Sequence, residues 1–203
     1  MLYPNPQIYH HIKTIFVHVP KAAGTSIERH LRLSDKDVVG GHTTAMAFRA
    51  KYPEVFDSYY KFSVVRHPVD RFVSAYSYLK EHPIHPALNN EVIHESGSLD
   101  RFVDMVRASP TILGNIVHLM PQSRFICDNE GKVLTDSVYR FENMEEAWKQ
   151  ICERIGITHA PLARLNPSHR EALDQDSQDS LISLVTDYYK EDYARFSYGE
   201  YKM

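Results

Sequence analysis

The chain has 203 residues, 43% hydrophobic and 24% charged, which fits a soluble globular protein able to bury a core and sets aside disordered and fibrous classes. Its net charge of -3 gives no general reason for binding nucleic acid or an anionic membrane, so an anion site has to be local. Two cysteines, Cys127 and Cys152, make no disulfide framework and are expected as free buried thiols, and no HExxH or close Cys/His spacing suggests a metal.

The N-terminal MLYPNPQIYHHIK lacks the basic tract and apolar core of a signal peptide, and no stretch is long enough to cross a bilayer; the expected location is cytoplasmic. Residues 12–19, IKTIFVHV, are apolar and β-branched and predict a buried strand. PKAAGTS follows, with Thr25 and Ser26 placed to cap a helix through SIERHLRL. Residues 59–65, YYKFSVV, predict a second strand ending at Arg66, and Pro68 opens a helix through VDRFVSAYSYLKE. Two such strand-to-helix units predict an α/β fold with a mostly parallel sheet flanked by helices.

Residues 81–97, rich in His, Pro and Asn, predict a long loop. LDRFVDMVRA and ILGNIVHLM read as helical, SRFICD as a short strand, NEGK as a turn and VLTDSVYRF as extended. Asn143 and Glu146 fit a capping box for MEEAWKQICERIG, with Gly156 ending that helix. A last helix spans residues 177–190, and an aromatic tail with Tyr193, Phe196, Tyr198 and Tyr201 packs back. No linker divides the chain, which predicts a single domain over residues 1–203.

The turn PKAAGTS has the makings of a phosphate cradle. Small residues let the backbone approach an anion, successive N–H groups converge on it, and the helix terminus adds its positive end. Its lysine precedes the glycine, unlike the GxxxxGK[ST] loop, which argues against an ATP or GTP hydrolase. A second cluster, VVRHPVDRFVSAY, puts Arg66 at a strand end, where open parallel sheets place ligands, with Arg71 and Ser74 on the next helix. The planar fork of arginine suits phosphate oxygens, although Arg71 beside Asp70 equally suits a structural role.

FVHVPKAAGTS at 16–26 and SVVRHPVDRFVSAY at 63–76, with VGGH, MPQSRFI, YRFENM, LNPSHR and the closing YYKEDYARFSYG, resemble the carbohydrate sulfotransferase superfamily. The resemblance is to the heparan 2-O and chondroitin sulfotransferase branch and its bacterial relatives. It implies a P-loop nucleotide-binding-like sulfotransferase fold. It also implies 3′-phosphoadenosine 5′-phosphosulfate as donor, adenosine 3′,5′-bisphosphate as product, an acceptor hydroxyl on a carbohydrate, and no metal. On this resemblance Lys21, Ala22, Ala23, Gly24, Thr25 and Ser26 hold the 5′-phosphosulfate, with Lys21 at the leaving oxygen. Arg66 and Ser74 hold the 3′-phosphate, and Ser168 and Arg170 close over the nucleotide.

On the residues alone His42, in VGGHTT, is a polar turn histidine. The resemblance makes it the general base, a role suited to imidazole near neutrality. Glu81 is the rival carboxylate base, and Glu142 reads as structural. His118 and Gln122 are the first candidates for acceptor contact, with Asn89, His82, His85 and His94 behind them. Two other readings stay open: an ATP-dependent phosphotransferase, which requires magnesium, and a non-catalytic nucleotide-binding interaction module, which binds without transfer.

Overall fold

The computed structural model describes residues 7–33, 41–162 and 173–201; Ser168 and Arg170 lie outside the described residues. In chain order the elements are β1 (Ile8–Tyr9), β2 (Thr14–Val17), α1 (Gly24–Leu31), α2 (Ala45–Lys51), α3 (Pro53–Ser58), β3 (Tyr60–Val65) and α4 (Pro68–Glu81). There follow α5 (Glu91–Ser96), α6 (Leu99–Ala108), α7 (Thr111–Asn115), α8 (Ser123–Ile126), β4 (Ser137–Arg140), α9 (Met144–Ile155), α10 (Gln175–Tyr188) and α11 (Lys190–Arg195). Short 3₁₀ turns occupy His10–Ile12, Val117–Leu119 and Phe141–Asn143. The elements group into a sheet unit, residues 7–66 with 122–162, and a helical unit, residues 67–121 with 173–201.

The sheet unit is α/β, built on a four-stranded mixed sheet of order β1-β2-β3-β4. β2, β3 and β4 run parallel, and β1 pairs antiparallel with β2 at the edge. β2 is shorter than its apolar run because Ile12 lies in a 3₁₀ turn and Lys13 takes a left-handed conformation (φ 46°). All four residues of β2 and the last five of β3 are buried, so both faces of the central strands are covered and alternation disappears. Phe16 and Phe62, register partners on these strands, stack at 4.9 Å between ring centroids. Each contributes roughly 1.5–3 kcal/mol by leaving water.

In the helical unit, α4 begins as the sequence predicts, with Pro68 in its first turn and the His67 side chain accepting from the Val69 amide. α6 buries Leu99, Phe102, Val103 and Val106, one stripe at helical spacing. α4, α6 and α10 enclose a core of Phe72, Phe102, Leu113 and Val185. The tail packs back onto this core through Tyr193 and Tyr201. In the sheet unit Cys127 and Cys152 are both buried and form no disulfide.

Several local expectations change. The segment 81–97 is not all loop: α5 lies within it, ordered by buried Asn90, whose amide donates to the Leu79 carbonyl and accepts from the His85 amide. ILGNIVHLM breaks after Asn115 into α7 and a 3₁₀ turn. SRFICD forms the one-turn helix α8 in place of a strand, its amides closing back on the chain: Phe125 donates to the Gln122 carbonyl and Cys127 to the Ser123 carbonyl. Asn143 makes no cap bond because a 3₁₀ turn runs into α9 there, whereas Gly156 ends α9 in the left-handed conformation expected of it. Among the described residues no helix is long and apolar enough to cross a membrane.

Candidate active site

The donor-loop candidate lies at the C-terminal end of β2. It turns through two non-glycine residues in the left-handed region, Lys21 (φ 66°) and Ala23 (φ 65°). α1 then starts at Gly24, one position before the predicted hydroxyl cap, and Ala23 takes the cap position without a side-chain bond. The Ala23 carbonyl accepts from the Ser26 and Ile27 amides, so Gly24 and Thr25 supply the first helical N–H groups, which have no intrahelical acceptor. Thr25 and Ser26 are half-buried, and Ala22 is buried.

Because β3 runs parallel beside β2, its end delivers Arg66 to the same edge of the sheet. Arg66 Nη1 donates to the Lys21 carbonyl at 3.3 Å, and the guanidinium lies 4.4 Å from the centre of the Phe141 ring. The Arg66 backbone is clamped by Gln122. That amide accepts from the Arg66 N–H and donates to the Arg66 carbonyl, both at 2.9 Å, with the side chain fully buried. This engagement directs Gln122 at Arg66, not at an acceptor sugar.

His42 also belongs to the sheet unit and is half-buried. Its Nδ1 lies 3.2 Å from the His18 carbonyl, its ring meets the His18 ring edge-on at 4.6 Å, and Phe125 stands 6.3 Å away. A carbonyl can only accept, so Nδ1 is the donor in this bond and carries a proton.

His18, Glu28 and Gln7, which are not among the residues the sequence nominates, form a buried polar network at the loop. His18 Nδ1 is 2.6 Å from Glu28 Oε1, and the Gln7 amide donates to the same oxygen at 3.0 Å and to the Gly41 carbonyl at 3.2 Å. A signal existed: the buried face of α1 is Gly24, Ile27, Glu28 and Leu31, so a carboxylate sits on an apolar stripe.

Ser74 and His118 belong to the helical unit. Ser74 lies on the buried side of α4. His118 is buried against Tyr78, 5.1 Å between ring centres, and its carbonyl accepts from Arg71. Burial pushes the Tyr78 hydroxyl pKa up. His82 and His94 hold backbone carbonyls of Tyr78 and His82, and Asn89 donates to the Asn115 carbonyl. Glu81, His85 and Glu142 are exposed. Arg71 is fully buried and donates to the His118 and Met120 carbonyls at 3.0 and 2.7 Å, bonds that hold backbone in place.

Among the described residues no cluster of three or more His, Cys, Asp or Glu is arranged to hold a metal ion. No curated protein and no solved structure matches the chain. A family model described as the sulfotransferase family does match, over residues 8–199, a span that contains the loop, His42 and Arg66; the chain belongs to the sulfotransferase family.

Proposed function

We propose that this sulfotransferase moves a sulfonyl group from 3′-phosphoadenosine 5′-phosphosulfate to an acceptor hydroxyl on a carbohydrate, as one catalytic domain of the heparan 2-O and chondroitin type. The observation that carries the reading is a convergence within the sheet unit. The βα loop, Arg66 at the end of the neighbouring parallel strand, and His42 bonded to a carbonyl just before the loop meet at one edge of the sheet.

In the reaction, the new O–S bond forms as the acceptor hydroxyl loses its proton, and the S–O bond to the phosphate breaks, leaving its electron pair on adenosine 3′,5′-bisphosphate. His42 Nε2 takes the proton, because Nδ1 already carries one for the His18 carbonyl. The Gly24 and Thr25 amides and the Lys21 ammonium offset negative charge growing on the leaving oxygen, the usual large electrostatic contribution. The α1 terminus adds positive potential in the same place. The 3′-phosphate roles of Arg66 and Ser74, and the closing roles of Ser168 and Arg170, rest on the motifs they share with the family. Gln122 supports this reading as the clamp that fixes Arg66.

A transfer screen with radiolabelled phosphosulfate and a panel of glycans tests the reading. Label should appear on a carbohydrate without added magnesium, and adenosine 3′,5′-bisphosphate should bind in calorimetry. Magnesium-dependent transfer from ATP would establish the phosphotransferase instead. Nucleotide binding with no transfer to any acceptor would leave an interaction module.

A further inference from the structure

The loop motif explains Lys21 and the small residues after it, but not why a histidine and a glutamate are buried beneath them. His18 is 4% exposed and Glu28 3% exposed, and neither faces solvent as a surface ion pair does. A carboxylate taken out of water needs several donors, and Glu28 has two on one oxygen, His18 Nδ1 and the Gln7 amide. The His18 ring also stacks on Phe16, 5.5 Å between centres and 16° from parallel, which fixes its plane. The other edge of the ring faces the start of α1. A Cβ placed on Gly24 would overlap His18 Nε2 and Cδ2. Gly24 has no positive φ that would demand glycine, whereas the His18 ring occupies the space a side chain there would need.

We propose that His18 is a positioning residue for sulfonyl transfer: its ring, fixed by Glu28 and seated against Gly24, sets the start of the donor-loop helix, while its carbonyl sets the tautomer and orientation of His42. The inference rests on the donor reading above and deepens it. Glu28 and Gly24 lie one helical turn apart on α1, so the ring bridges that turn from its Nδ1 edge to its Nε2 edge. One residue therefore ties the amides that face the donor to the imidazole that faces the acceptor. A shift of His18 moves both, and small misplacements of reacting groups are costly to rate.

A size-complementation cycle tests the ring contact. Gly24→Ala alone should weaken binding of adenosine 3′,5′-bisphosphate by about tenfold or more, because the methyl group forces the ring or the loop aside. In a His18→Ala background the same methyl has room, and Gly24→Ala should then cost less than about twofold. Glu28→Gln, which still offers the ring an acceptor, should keep most of kcat, whereas Glu28→Ala should lower kcat far more than it raises KM. Nitrogen-15 spectra of the wild-type histidines should show His42 protonated at Nδ1; this needs no variant and decides the case should His18→Ala fail to fold. Wild-type protein that binds no bisphosphate overturns the donor reading, and this inference with it. Wild-type binding with additive His18 and Gly24 effects, or a His42 proton on Nε2, overturns this inference and leaves the donor reading standing.

Discussion

Arg66 and Arg71 stand five residues apart in one short motif, yet the sheet unit and the helical unit use them for different ends. Arg71 is fully buried. Its fork holds the His118 and Met120 carbonyls and its charge lies 5.2 Å from the Tyr189 ring centre. Burial in turn drives the Tyr189 hydroxyl pKa up, and that hydroxyl donates to the Leu119 carbonyl. Arg66 is half-buried, its backbone held by Gln122 and its guanidinium reaching the loop carbonyl of Lys21. The donors of Arg71 are spent on holding backbone together. Arg66 is fixed through its backbone while its guanidinium lies beside the loop, the kind of preorganisation that catalysis requires.

That contrast predicts which substitutions alter turnover and which alter folding. The largest effect should come from Lys21→Ala, which lowers kcat about a hundred- to a thousandfold while the thermal midpoint stays close to wild type. Transfer kinetics beside a melting curve make the check, and unchanged kcat would break the loop assignment. His42→Ala should lower kcat by about a hundredfold or more with bisphosphate affinity retained. Equal loss of both would mean that His42 holds the loop and does not act as base.

The two arginines give the direct comparison. Arg71→Ala should cost about 3 kcal/mol in urea unfolding, since it empties a buried site and strips two carbonyls of donors. Arg66→Ala should leave the urea midpoint nearly unchanged and weaken bisphosphate binding by about tenfold or more. The reverse pattern would erase the distinction between the units.

Much of this division was open to sequence reading. The apolar runs around Phe16 and Phe62, Pro68 at a helix start and Gly156 at a helix end are local signals, and the chain obeys them. What failed depended on partners far along the chain. Gln122 looks like a candidate sugar contact until β3 brings Arg66 beside it, and Arg71 stays ambiguous until His118 and Met120 arrive with their carbonyls. Four residues such as Ser123–Ile126 hold too few periods to separate helix from strand. The loop's own conformation was also hidden, because left-handed Lys21 and Ala23 contradict the preference of those residue types and are imposed by context.

The smallest effect belongs to the helical unit and is purely local. Asp174 caps α10 by accepting from the Ser177 amide at 2.8 Å, and that bond to the backbone is the leading reason its carboxyl pKa lies below the usual aspartate value. A depressed folded pKa contributes stability above the unfolded value, near about 3.9, and that stability is lost as pH falls through the folded value. Acid should therefore loosen the first turn of α10 only at the lower end of the carboxylate range, and Asp174→Ala should remove this acid-sensitive step. Amide exchange at Ser177 and Gln178, followed from neutral pH downward, reads it out. Nucleotide binding by the variant should match wild type near neutrality; a loss there would show that this cap, unlike Arg71, contributes to the site and not only to its own helix.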